Sequence, residues 1–262
     1  MEMKIGVIGI GVVGSAISKS FQKRNIDVIE YDKYKNIGSI SLMDGCNIVF
    51  LCLPTLYSDE LKCYDKSSIY DVCDNLEKNN FSGIVVIKST VEPETTLNLS
   101  KKYNLRFCHN PEFLTAKTAY EDFENQSHIV IGYIEKDTGL ILEKFYKHHY
   151  PSANISLCFS TESEMMKIGV NCFYAVKIQY FNEIYELCQK HENTNYEIVR
   201  NLMLKNGWIN PMHTNVPGTD GKLSYGGMCF PKDTNALLEH MKRMNSIHEV
   251  LGGTISERNK MR

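Results

Sequence analysis

The sequence lacks any apolar run approaching the roughly 18–20 residues that a membrane-spanning helix needs. Its opening, MEMKIGVIGIG, has no cleavage region of the kind that follows a signal peptide's apolar core. It lacks a CxxC pair: nine cysteines lie scattered, which argues against a zinc or dithiol redox motif. His109, His128, His148 and His149 show no ligand spacing, so no metal site is expected. A surplus of positive charge is missing too. Lys plus Arg number 29 against 31 Asp plus Glu, a net charge of −2. That balance argues against non-specific nucleic-acid binding, which needs an excess of phosphate-neutralising cations, but leaves room for one small basic pocket facing a phosphorylated ligand. There is no internal repeat and no low-complexity segment. The expectation is a cytoplasmic globular protein of one or two domains, its cysteines mostly buried thiols.

What is present in the first half is an alternation of short β-rich runs with polar helical stretches, the pattern of a parallel sheet with crossover helices. Lys4–Ile8, Asp27–Tyr31, Ile48–Leu53, Gly83–Lys88 and Ile129–Ile131 read as strands, with Arg106–His109 a short one between the last two. Val12–Arg24 reads as a helix. Continuous apolar strands of this kind are buried on both faces. After about Pro151 the pattern changes. Thr161-x-x-Glu164 reads as a capping box that opens a long helix to about His191, with Ile168, Cys172, Ala175, Phe181, Ile184, Tyr185 and Cys188 at helical spacing. A Pro/Gly-rich loop follows from Pro211 to Pro231, then a last helical segment from Thr234.

Gly9-Ile10-Gly11-Val12-Val13-Gly14 fits G-x-G-x-x-G and lies after a strand at the start of a helix. Gly9 permits the tight turn, Gly11 lets the backbone approach a pyrophosphate, and Gly14 allows close helix–strand packing, while the helix N-terminus favours negative charge. Val12 and Val13 are the first residues of that helix. Asp32 ends the second strand 23 residues after Gly9, close to the roughly 20 expected of the acid that takes a ribose hydroxyl. It favours NAD over NADP, although Lys33 and Lys35 lie nearby. The expected fold class is α/β: a Rossmann-type doubly wound parallel sheet in residues 1–155, then an α-helical domain in residues 156–262, with a long connecting helix.

Gly226-Gly227-Met228-Cys229-Phe230-Pro231-Lys232-Asp233 is the most specific stretch. Paired glycines admit a ligand close to the backbone, a lysine three residues after a cysteine favours the thiolate, and Asp233 offers a carboxylate for proton transfer. From composition alone, a buried thiol in a tight loop is the simpler reading. The sequence nonetheless resembles the UDP-glucose/GDP-mannose dehydrogenase family through a set of motifs in that family's order. They are Gly9–Gly14, Lys88-Ser89-Thr90-Val91, Asn110-Pro111-Glu112-Phe113-Leu114, Glu164…Lys167…Asn171, Asn182-Glu183 and the cysteine loop.

The resemblance implies an NAD-dependent oxidation of a sugar alcohol to the acid, in which two NAD are reduced. Cys229 would attack the intermediate aldehyde to give a thiohemiacetal and then a thioester, which water releases; a thiolate suits both attack and departure. Lys167 and Asn171, four apart on one helix face, match the oxyanion donors. Asp233 with Lys167 matches the pair that holds a water and takes the first proton. Thr90 and Glu112 match the positions of thioester hydrolysis, with Thr90 and Lys232 near the cofactor. Phe113, Leu114, Tyr225 and Gly226, with Lys167 and Asn171, match substrate contacts. UDP-glucose is the first substrate implied, with UDP-N-acetylhexosamines and GDP-mannose behind it, and a homodimer through the helical region. Acid sugars of this kind feed polysaccharide biosynthesis.

Two departures accompany the match. Where the family places an acid after NPEFL, this sequence reads Thr115-Ala116-Lys117. Family members also continue through a third, nucleotide-covering domain, whereas Ile255–Arg262 resembles the family's central region, so a separate partner in place of that domain is an expectation. Two rival readings stand beside the first: a two-electron β-hydroxyacid-type dehydrogenase that leaves Cys229 idle, and a non-catalytic binder of NAD or a nucleotide sugar.

Overall fold

The computed structural model describes residues 3–262. The chain forms two compact units. One comprises the residues up to Leu56 together with Tyr64–Lys167, and the other Tyr57–Cys63 with Ile168–Arg262.

The first unit is built on a seven-stranded sheet. Its strands are β1 (Lys4–Ile8), β2 (Asp27–Tyr31), β3 (Ile48–Leu51), β6 (Ile84–Ile87), β7 (Arg106–His109), β8 (His128–Tyr133) and β9 (Asn154–Phe159), in the order β2-β1-β3-β6-β7-β8-β9. The two-residue strands β4 (Tyr57–Ser58) and β5 (Cys63–Tyr64) lie outside it. Side chains alternate across a strand, and both faces are covered here. Ile48 and Phe50 join one cluster with Ile17, Phe21, Phe123 and Phe145, while Val49 and Leu51 join the other with Ile69, Leu76 and Leu99. The covering helices are α1 (Val12–Lys23), α2 (Ser67–Lys78), α3 (Thr95–Lys102), α4 (Ala119–Glu124) and α5 (Lys136–His149). Strand order reverses at β1, whose neighbours are β2 and β3. The crevice beyond the carboxyl ends of such strands is where doubly wound sheets bind ligands.

The sheet is not wholly parallel, a correction to the expected class in detail: β8 runs antiparallel to β7. The connection from Asn110 to Ser127 carries only the short α4, so the chain re-enters the sheet from the end it left. The NPEFL segment is thereby kept at the ligand-binding end.

Helix α6 (Ser160–Gln189) is 30 residues long and passes from the first unit into the second. The expected capping box does not form. Glu162 accepts from the Phe159 amide at 2.7 Å, whereas Glu164 points inward and accepts from the Thr96 amide and hydroxyl at 2.7 and 2.6 Å. The second unit continues with α7 (Tyr196–Leu204), α8 (Phe230–Arg243) and α9 (Glu249–Met261), and its core gathers Phe181, Cys188, Tyr196 and Val216. The last helical segment thus starts at Phe230 rather than Thr234, since Pro231 is tolerated in a first turn.

Candidate active site

The glycine turn after β1 has the conformation its sequence demands. Gly9 adopts φ +88°, a left-handed backbone, and a Cβ on Gly14 would run into the Gly9 carbonyl oxygen. Around Gly11 a Cβ would meet nothing, so the turn is open where a ligand would approach. Val12 is exposed and Val13 half-buried at the start of α1, whose N-terminus no side chain caps. The helix thus offers its positive end to an anion. Asp32 accepts from the backbone amides of Ile10, Tyr34 and Lys35 at 2.9, 3.0 and 3.0 Å. It also lines a cavity of about 240 Å³ with Gly9, Lys33, Pro54, Ser68 and Asp71. Across it Lys33 and Asp71 pair at 3.3 Å, and Lys35 Nζ donates to the Ile10 carbonyl at 2.6 Å. An open glycine cradle, an uncapped helix end and an acid at the second strand's end fit a dinucleotide without a 2′-phosphate.

Beside this turn, the loop after β6 carries Thr90. Ser89 Oγ donates to the Leu53 carbonyl at 2.6 Å and accepts from the Leu53 amide at 3.1 Å, and Thr55 Oγ1 donates to the Thr90 carbonyl at 2.7 Å. The loop after β7 carries Glu112. Lys167, only 5% exposed, donates to the Glu112 carbonyl at 2.5 Å and lies 3.4 Å from its carboxylate. Its ammonium stands 5.1 Å from the exposed Phe113 ring. The Leu114 amide donates to the Glu112 carboxylate at 2.6 Å, so this backbone group is engaged within the loop. Lys167 here is a buried ion-pair partner of Glu112, unlike a solvated helix lysine.

In the second unit Asn171, one turn on from Lys167 along α6, donates to Asp233 at 2.6 Å. The other Asp233 oxygen accepts from Lys232 at 2.5 Å, and the carboxylate is fully buried. Burial, followed by the Asp233 charge, pushes the thiol of Cys172 well up. Cys229 stands at the N-cap of α8, where its carbonyl accepts the Asp233 amide at 3.0 Å. Of the nine cysteines it alone is exposed. Burial likewise pushes Cys52, Cys73 and Cys108 up to about 12, keeping them as thiols.

The loop before Cys229 is held from α6. Asn182 accepts from the Ser224 amide at 2.8 Å, and Gln179 accepts from the Ser224 hydroxyl at 2.5 Å. Tyr225 is buried, its hydroxyl 3.4 Å from that of Thr234, so only its backbone is offered to a ligand. Gly226 lies against the Arg262 guanidinium, and both line a cavity of about 320 Å³ with His213, Asn215 and Phe230. Arg262 pairs with Asp220 and donates to the Ser224 carbonyl at 3.1 Å. Sequence reading gave no role to Gln179 or Arg262 and named Lys88 only within the Lys88-Ser89-Thr90-Val91 motif. Their partners lie 22 to 45 residues away in the chain, and no local pattern reveals such a contact. Apart from that motif, the local signal for Lys88 is a charge ending an otherwise apolar strand.

Residues 35–150 match the NAD binding domain of the UDP-glucose/GDP-mannose dehydrogenase family, and residues 161–260 match its central domain. The chain is 26% identical to a UDP-glucose 6-dehydrogenase of Campylobacter jejuni, over 98% of this chain and 73% of that protein. It is 31% identical to one of Rickettsia felis, over 78% of this chain and 46% of that protein. Among solved structures, a UDP-glucose dehydrogenase from the archaeon Pyrobaculum islandicum has the same fold, with a TM-score of 0.89 at 20% identity over 99% of this chain and 68% of that one. The chain belongs to the UDP-glucose/GDP-mannose dehydrogenase family. Its cofactor is accordingly NAD. The chain spans less than half of the Rickettsia relative and about three quarters of the Campylobacter one.

Proposed function

We propose that the chain oxidises a nucleotide sugar, UDP-glucose first among them, from primary alcohol to carboxylate through a covalent intermediate on Cys229. The observation that carries this reading is a buried carboxylate, Asp233, braced by Asn171 and Lys232 one helical turn after an exposed cysteine. Residues 1–155 bind the cofactor and residues 156–262 supply the cysteine loop.

Bound NAD supplies the hydride acceptor for each of two oxidations. In the first, Asp233 with Lys167 holds a water and takes the hydroxyl proton as C6 becomes an aldehyde. The Cys229 thiolate then adds to the carbonyl carbon. Lys167 and Asn171 stabilise the oxyanion of the resulting thiohemiacetal, the role of preorganised donors in a water-poor site. Loss of the second hydride leaves a thioester. Water assisted by Thr90 and Glu112 adds to it, the C–S bond breaks and the thiolate departs with the electron pair. Alcohol and water become acid, and two NAD are reduced. A two-electron alcohol oxidation requires no nucleophile, so Cys229 distinguishes the two chemistries.

Phe113, Leu114, Tyr225 and Gly226 contact the substrate, and Gly9, Gly11, Val12, Val13, Gly14, Asp32, Thr90 and Lys232 the cofactor. The product serves polysaccharide biosynthesis in the cytoplasm. The chain works as a homodimer, a reading supported by exposed Phe173, Tyr180 and Leu187 at seven-residue spacing on α6. Replacing Cys229→Ser should abolish acid formation while binding of NAD persists, as measured by product analysis and cofactor titration. An unchanged yield of acid would remove the covalent route.

A further inference from the structure

Lys88 ends β6 with its ammonium inside the protein, 2% exposed. Its two hydrogen-bond acceptors are neutral: Asn110 Oδ1 at 3.0 Å and the Pro111 carbonyl at 3.4 Å. The Phe123 ring lies 5.6 Å away. A buried cation without a hydrogen-bonded carboxylate is costly, and its presence asks for a role. Asn110 is where its effect converges. The same Asn110 Oδ1 accepts from Tyr146 at 2.6 Å, while Asn110 Nδ2 donates to the Val130 carbonyl at 2.7 Å. Asn110 and Pro111 directly precede Glu112, whose carbonyl and carboxylate meet Lys167.

We infer that Lys88 is a positioning residue: its buried ammonium, acting through Asn110 and Pro111, fixes the segment that presents Glu112 for thioester hydrolysis. The link to hydrolysis rests on the function proposed above; the link to the segment's geometry does not. Burial holds the Lys88 pKa down to about 8, with Cys52 and Glu112 opposing and Lys167 reinforcing that shift. The fold therefore tolerates the charge rather than gaining from it. A lysine kept for stability would behave in the opposite way when replaced.

The test is Lys88→Met, which keeps the apolar stem and removes the charge, with Tyr146→Phe as a milder second variant that takes the other donor from Asn110. Hydrogen–deuterium exchange of the cofactor-free protein reads the segment directly, because the Leu114 amide is held by Glu112 at 2.6 Å. In Lys88→Met, exchange at residues 112–115 should rise about tenfold or more, with a melting temperature at neutral pH equal to or above the wild type. Tyr146→Phe should loosen the same amides by a smaller factor. Under turnover, Lys88→Met should lose kcat about tenfold or more with KM for NAD unchanged, and intact mass should show the sugar adduct on Cys229 accumulating. Unchanged exchange at 112–115, or a lowered melting temperature with loosening throughout the unit, would overturn the positioning role. If the wild type reduces no NAD with any nucleotide sugar, the proposed function falls, and the exchange measurement still decides the role of Lys88.

Discussion

Glu164 shows how far a single residue can depart from its local pattern. Three residues after Thr161 it reads as a capping-box acid, yet it is fully buried and caps the N-terminus of α3 from another element. Burial raises its pKa to about 7, against the lowering effect of the Thr96 hydroxyl and the α3 amides. The folded state therefore holds a proton that the unfolded chain releases near pH 4.5. Stability from this group is fully present below about pH 4.5 and is lost as pH rises through about 7. Glu164→Gln, a neutral mimic of the protonated acid, should gain on the wild type as pH rises from 5 to 8, by up to about 3 kcal/mol. Denaturant midpoints across that range measure it, and a difference independent of pH would contradict the argument. His109, held down to about 3 mainly by burial, titrates alike in both proteins and cancels. The tight turn at Gly9 and the place of Asp32 at a strand's end were legible in the sequence because turn and spacing announce them, whereas Cys229 and Asp233 were singled out through the family resemblance. The contacts of Lys88 and Glu164 were not legible, because each is made with a partner 22 or 68 residues away.

At the scale of elements, the buried strands β1, β3 and β6 were legible as unbroken apolar runs, since strands covered on both faces carry no polar alternation. Strand β9 was not: it is half-exposed along its length, and NISLCF mixes polar and apolar residues accordingly. The direction of β8 was not legible either, because it depends on how the connection from Asn110 packs rather than on the strand's own residues. The long helix was legible through Ile168, Cys172, Ala175, Phe181 and Cys188, which recur at helical spacing and are all buried. Between these buried positions Phe173, Tyr180 and Leu187 stand in the open, each more than half exposed. Apolar side chains repeated every seven residues form a stripe suited to packing against a second helix. Sedimentation equilibrium should give a dimer for the wild type and a monomer for Tyr180→Glu; a wild-type monomer at all concentrations would remove the dimer from the proposal.

At the scale of the whole molecule, the family and its NAD-binding unit follow from matches that run along most of the chain, while the reaction is an inference from two clusters of side chains. One, Lys167 with Glu112, supplies a cation and a carboxylate. The other, Asp233 with Asn171 and Lys232 one turn after Cys229, would supply the proton acceptor and the nucleophile of the proposed reaction. A cysteine is needed only if oxidation continues past the aldehyde. The decisive measurement is therefore the NADH formed per molecule of limiting UDP-glucose with NAD in excess. Two NADH for each sugar, with the acid as product, are expected. One NADH per sugar, with aldehyde as the end product, would rule out the route through Cys229.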